Sequence, residues 1–200
     1  MKKIEQVFRE ILYQAMEKQE RRLTQLELSK KLNISLSNVN LAIKKIEKMG
    51  AVIIEKMGFR VIDIKKILYY WASIRNLEKD VIYKTRADMP VREIERNLPD
   101  VFYGGYSAYK FKFKDVPADY SEVYVYADEE QLKEIIKRFN KTDKFPNIFV
   151  LEKDENMDKY EKTCTIAQIF VDLWNIKHWY ASDFLKALEN KLNLKILKDF

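Results

Sequence analysis

Between Lys3 and Lys18 the apolar residues Ile4, Val7, Phe8, Ile11, Leu12 and Ala15 recur three and four positions apart, with polar residues between them. That period predicts a helix with one buried face. In the next segment, Leu23-Thr-Gln-Leu-Glu-Leu-Ser-Lys-Lys-Leu-Asn33, Thr24 is followed three residues later by Glu27, and Leu23 and Leu28 flank them. This is a capping box inside a hydrophobic staple, so a short helix is expected to start at Thr24 and end near Asn33. Asn33-Ile34-Ser35 predicts a tight turn, with Ser35 capping a third helix that runs to about Met49 and stops at Gly50. On that helix Leu36, Val39, Ala42, Ile43 and Ile46 fall on one side, and Ser37, Asn40, Leu41, Lys44 and Lys48 on the other. Ala51–Asp63 then holds two β-rich runs around Met57-Gly58, a hairpin signal.

Ile64, Ile67, Leu68, Trp71, Ile74 and Leu77 mark a further, strongly apolar helix. Such a helix must be covered, either by a second domain or by another chain, and dimerisation through it is one expectation. Residues 84–90 read as a loop. Val91–Leu98 reads as a short surface helix with Arg92 and Arg96 beside Glu93 and Glu95. Gly104-Gly105 and Ser107 suggest a turn, and Tyr109-Lys-Phe-Lys-Phe-Lys114 alternates aromatic and basic residues with the period of a half-buried strand. Glu122–Ala127 is a second strand, and Asp128 caps a helix bearing Leu132, Ile135, Ile136 and Phe139. Ile148–Leu151 is a third strand. The last third is helical, with Ile166, Ile169, Phe170, Leu173 and Trp174 and then Phe184, Leu185, Leu188 and Leu192 at helical spacing. The expected division is therefore 1–63, a connecting helix and loop at 64–88, and an α+β domain at 89–200, with a small sheet flanked by helices.

Composition adds little until charge is resolved along the chain. The whole carries 37 Lys and Arg against 31 Asp and Glu. Residues 1–80 hold 17 and 10 of these, a balance of +7, which leaves 20 against 21, or −1, for the other 120. A basic module joined to a neutral one suits a nucleic-acid partner, because phosphate neutralisation supplies most non-specific affinity. No apolar run approaches the roughly 18 residues of a membrane span, and the N-terminus is amphipathic, so a cytoplasmic protein without membrane contact is expected. One cysteine, Cys164, and one histidine, His178, give neither a disulfide framework nor a Cys/His metal site. Fourteen residues apart with no third partner, they make a poor nucleophilic pair. Asp172 reads as a helix-face carboxylate. No metal and no cofactor is expected.

Helix, short helix, tight turn, helix and hairpin follow in the winged helix-turn-helix order, and "LTQLELSKKLNISLSNVNLAIKKIEKMGAV" resembles that superfamily over roughly residues 20–63. The resemblance implies that the third helix enters the major groove and the hairpin lies along the backbone. On this chain it implies base or nearby phosphate contacts for Ser37, Asn38, Asn40 and Lys44, with Lys45, Lys48, Lys56 and Arg60 on phosphates. Leu41 would touch a thymine methyl or be buried against another part of the molecule.

The doubled glycine before Ser107, followed by a strand, resembles the nucleotidyltransferase fold, in which a Gly-Ser turn holds a phosphate and alternate strand positions carry metal-binding carboxylates. Here Tyr124 and Tyr126 stand at those positions. Asp128, the nearest carboxylate, is better placed as a helix cap. Together, the winged helix and "YGGYSAY … PADYSEVYVYAD … TIAQIFVDLWN" resemble the transcriptional regulators related to AbiEi antitoxins, particularly archaeal ones. That resemblance implies a DNA-binding repressor or antitoxin-like regulator, expected to be a homodimer on double-stranded DNA. Its non-catalytic C-terminal domain would contact an effector or toxin partner, with Gly104, Gly105 and Ser107 as possible contacts. Two alternatives stand beside it: a nucleotidyltransferase using Ser107 and Asp128, and an antitoxin that acts by direct protein binding.

Overall fold

The computed structural model describes residues 1–160 and 163–196. Glu161, Lys162 and residues 197–200, all within the expected 89–200 domain, lie outside the described residues. The fold is α+β, an N-terminal winged helix-turn-helix followed by a mixed α/β domain. It forms two units, Met1–Arg75 with Thr165–Val171, and Asn76–Cys164 with Asp172 onward.

The first unit runs α1 (Lys3–Glu17), β1 (Arg22–Leu23), α2 (Gln25–Leu32), α3 (Leu36–Lys48), β2 (Val52–Glu55), β3 (Gly58–Val61) and α4 (Ile64–Ile74). Its antiparallel sheet has the order β1-β3-β2. Val7, Phe8, Ile11 and Leu12 of α1 are fully buried, as the periodicity predicts, but Glu5, Gln6, Arg9 and Glu10 between them are buried too, so α1 is enclosed on more than the one expected face. The apolar face of α4 is covered inside the same chain: Ile67, Leu68 and Trp71 are buried, and the Tyr70 ring meets Phe8 edge-on at 5.7 Å. The exposed face that motivated dimerisation through this helix is thus occupied by α1. The reason lies in Glu5, which is 66 and 70 residues from its two partners near the end of α4. The Trp71 indole N–H donates to Glu5 Oε2 at 3.2 Å, and Arg75 Nη1 donates to the same oxygen at 3.3 Å. Phe170, from the 165–171 segment, adds an edge-on contact with Tyr69 at 5.4 Å. The expected 64–88 connector accordingly divides, with 64–75 in the first unit and the remainder in the second.

The hairpin closes through Lys56-Met57, with Glu55 opposite Gly58. Gly58 has φ +152°, and a Cβ there would stand 2.3 Å from the Leu23 carbonyl oxygen. Glycine is required because β1 approaches β3 at this point. Gly58→Ala should therefore part β1 from β3 and cost about 2–3 kcal/mol. A matched pair of urea transitions measures this, and a loss of less than about 1 kcal/mol would contradict the packing described.

The second unit contains β4 (Val81–Thr85), α5 (Val91–Asn97), β5 (Phe102–Gly104), α6 (Gly105–Phe113), β6 (Val123–Ala127), α7 (Glu129–Arg138) and β7 (Ile148–Glu152). α8 (Ile166–Asn175) gives its first residues to the first unit and Asp172–Asn175 to the second, which ends with α9 (Ala181–Ile196). The sheet order is β4-β7-β6-β5, with β6 and β7 parallel and the outer pairs antiparallel. Val123, Val125, Ile148 and Val150 form a core with Ile94, Leu98, Ile135 and Phe139. Asp128 caps α7 in a full capping box with Gln131, as expected of it.

Three expectations change here. Tyr109–Lys114 is not a strand: Gly105–Phe113 is a helix closed by Lys114 in the left-handed conformation. Its aromatic alternation serves two sides of that helix. Tyr109 meets Phe113 at 4.9 Å and Phe184 at 5.3 Å, while Phe111 meets Tyr103 at 4.8 Å. Large rings reach both sides, so a period of two survives on a helix. The strand in this region is Phe102–Gly104, directly before it. Lys84 and Thr85, read as loop, belong to β4, which pairs with β7. Glu95 is buried rather than part of a surface ion-pair row, and it accepts from Lys110 and, at 2.9 Å, from the Tyr120 hydroxyl.

Candidate nucleic-acid interface

Local chemistry fixes the angle between α2 and α3. Thr24 Oγ1 accepts from the Glu27 backbone N–H at 3.1 Å and donates to the Glu27 carboxylate at 2.9 Å. The Glu27 side chain therefore closes the cap through the hydroxyl. Asn33 ends α2 with φ +52°, a conformation that asparagine tolerates well, and the Ser29 hydroxyl donates to the Ile34 carbonyl at 2.7 Å. Ser35 Oγ then accepts from Asn38 N–H at 3.4 Å to start α3. These contacts make the tight turn between the two helices.

Val39, Ala42, Ile43 and Ile46 of α3 are buried. Ser37, Asn40, Leu41, Lys44, Lys45 and Lys48 are exposed and Asn38 is half-buried. Leu36, expected on the inner face, is 44% exposed. It is the first residue of α3 and lies about 70° around from the centre of the buried face, so it joins the outer edge. The first turn of α3 carries no acidic side chain, which leaves its N-terminal dipole favourable to an anion.

The cations divide into committed and uncommitted ones. Glu55 draws Arg60 Nε to 3.0 Å and Arg22 Nε to 3.4 Å, so Arg60, expected to meet phosphate, is engaged within the wing. Lys31 pairs with the buried Glu10 at 2.7 Å. Among the described residues no ion pair holds Lys44, Lys45, Lys48 or Lys56. Met57, beside Lys56 at the tip of the wing, is 82% exposed.

Gly104, Gly105 and Ser107 are brought together at the junction of β5 and α6, and that junction is filled. A Cβ at Gly104 would stand 3.0 Å from the Tyr126 ring and 3.2 Å from Asp172 Oδ2. At Gly105, with φ +49°, it would stand 2.9 Å from Ile176. The glycines admit protein side chains at close range, and Ser107 is fully buried among them. Asp172, read as a helix-face carboxylate, is buried and accepts from the Tyr126 hydroxyl at 2.8 Å. Tyr124 stacks on Phe149 with centroids 4.7 Å apart. Burial pushes the Tyr103 and Tyr180 phenols up to about 12 and raises those of Tyr106, Tyr120 and Tyr124 as well. His178 stacks on Tyr180 and places Nε2 3.5 Å from the Glu122 carboxylate, while Cys164 is buried and forms no disulfide among the described residues. Trp179, next to His178 in sequence, is 78% exposed and Trp174 46%. Among the described residues no group of three or more His, Cys, Asp or Glu side chains is disposed to hold a metal. No helix there is long and apolar enough to cross a membrane.

A capped helix pair joined by a tight turn, followed by a two-stranded wing, defines a winged helix-turn-helix. Residues 9–53 match the family model of winged helix-turn-helix DNA-binding domains. That match runs from Arg9 within α1 to the start of β2, and it reaches neither β3 nor the C-terminal unit. No curated protein and no solved structure matches the chain significantly.

Proposed function

We propose that this protein is a cytoplasmic, sequence-specific DNA-binding transcriptional regulator, a repressor of antitoxin-like type, that lays α3 in the major groove and the β2–β3 wing along the backbone. The observation that carries this reading is the set of four uncommitted lysines, three on the outer face of α3 within the residues matched to DNA-binding winged helices and one, Lys56, just beyond them at the tip of the wing. Lysines that no carboxylate holds can exchange their counterions for phosphates, and release of those counterions drives association. Ser37, Asn38 and Asn40 supply donors and acceptors to base edges beside them.

The C-terminal unit is proposed to be non-catalytic and to serve contacts with a second copy, an effector or a toxin-like partner. Two-fold pairing would place two α3 helices about one DNA turn apart. Fluorescence anisotropy of the full chain with random-sequence duplex, repeated from about 50 to 200 mM salt, is the direct test. Affinity is expected to fall steeply, by one or more orders of magnitude across that range. Absent or salt-insensitive binding would remove this reading.

A further inference from the structure

We propose that Leu41 is a specificity residue that reads the 5-methyl group of thymine. This rests on α3 entering the major groove, as proposed above, and adds which chemical feature the helix seeks there.

Leu41 is 51% exposed. At about 100° per residue it lies roughly 150° around the helix from the centre of the face formed by Val39, Ala42, Ile43 and Ile46. It therefore contributes little to the core. Ser37 precedes it by one turn, and Lys44, Lys45 and Lys48 follow it, all exposed. An apolar branched side chain in the middle of a cationic face has nothing to offer a phosphate. Among the base edges of the major groove, the thymine methyl is the apolar feature, and it discriminates T·A from C·G. A protein partner without carboxylates to match fits the same surface poorly, because burying three uncommitted lysines around one leucine then desolvates their charges without compensation, and lysine is depleted from protein interfaces. Asn40, the neighbouring residue, suits the adenine edge. The pair would favour sites rich in A·T steps.

The test begins with selection of 20-base-pair duplexes from a randomised pool by the full-length protein, followed by replacement of each thymine in the most enriched duplex with deoxyuridine, which removes only the methyl. For the wild-type chain, one or two positions should weaken binding about three- to fivefold each, the worth of one buried methyl group. Leu41→Ala should bind the thymine duplex as weakly as wild type binds the uracil one, and should show no further loss on the uracil duplex. Leu41 is exposed, so the variant should keep the wild-type Tm, and Leu41→Met should retain part of the methyl preference.

Wild-type binding that is indifferent to every thymine-to-uracil change, with selection still successful, overturns the role of Leu41 and leaves DNA recognition standing. A variant that keeps the full methyl preference but loses self-association in sedimentation makes Leu41 a protein contact and also overturns it. Failure to enrich any sequence overturns both this inference and the reading beneath it.

Discussion

Replacing Lys44, Lys45 and Lys48 together with alanine is expected to reduce duplex affinity by one to three orders of magnitude near 0.1 M salt, and to flatten the logarithmic salt dependence by about 2.7. Each lysine that meets a phosphate contributes roughly 0.9 to that slope. All three are exposed and none is held by an ion pair among the described residues, so their removal frees no buried carboxylate and the fold should persist. The salt slope is the decisive readout, because a disturbed fold would lower affinity without changing the number of counterions released by the remaining active molecules. An unchanged slope in a protein of unchanged Tm would place the phosphate contacts on another face. Arg60→Ala makes a useful contrast. Its guanidinium is engaged by Glu55, so a smaller change in slope is expected, together with some loosening of the wing.

The second large effect concerns stability. Glu5→Ala should destabilise the N-terminal unit by about 3–5 kcal/mol, the range seen when one partner of a buried ion pair is removed. The side chains of Glu5 and Arg75 are 3% and 1% exposed, and one carboxylate oxygen serves both the guanidinium and the indole of Trp71. Truncation withdraws that oxygen from two donors and leaves a cavity between α1 and α4. Glu5→Gln, which keeps a neutral acceptor, should lose less. Urea unfolding of the three proteins orders them, and a Glu5→Ala loss of below about 1 kcal/mol would show that the pair adds little to the fold.

Much of the N-terminal unit was legible because its signals are local. Thr24 with Glu27, Asn33, Ser35 and Gly50 punctuate the chain at the places where helices begin and end, and the buried face of α3 follows from residues three and four apart. What local pattern leaves open is the choice between partners. Burial of α4 depends on Glu5, 66 residues from Trp71, and nothing near α4 announces it. The C-terminal unit depends still more on distant pairs. β5 has three residues and is defined by β6, some twenty positions away. The α6 segment reads as a strand because aromatic rings on both sides of a helix mimic alternation. At the doubled glycine, residue type shows that space is needed but not what fills it. Tyr126 of β6, Asp172 of α8 and Ile176 just past the end of α8 do so, from positions 22 to 71 residues later. For the DNA face, the outward set was readable, but whether each cation is available was not, since that turns on Glu55 and Glu10 as competing anions.

The placement of the three tryptophans has an optical consequence. Trp71 is fully enclosed in the N-terminal unit, whereas Trp174 and Trp179 are 46% and 78% exposed in the C-terminal one. Emission from the enclosed indole should lie to the blue and resist iodide or acrylamide, while the other two emit to the red and are quenched. The native chain thus carries a separate fluorophore signal for each unit, and one quenching series during denaturation can tell which unit opens first without any added label.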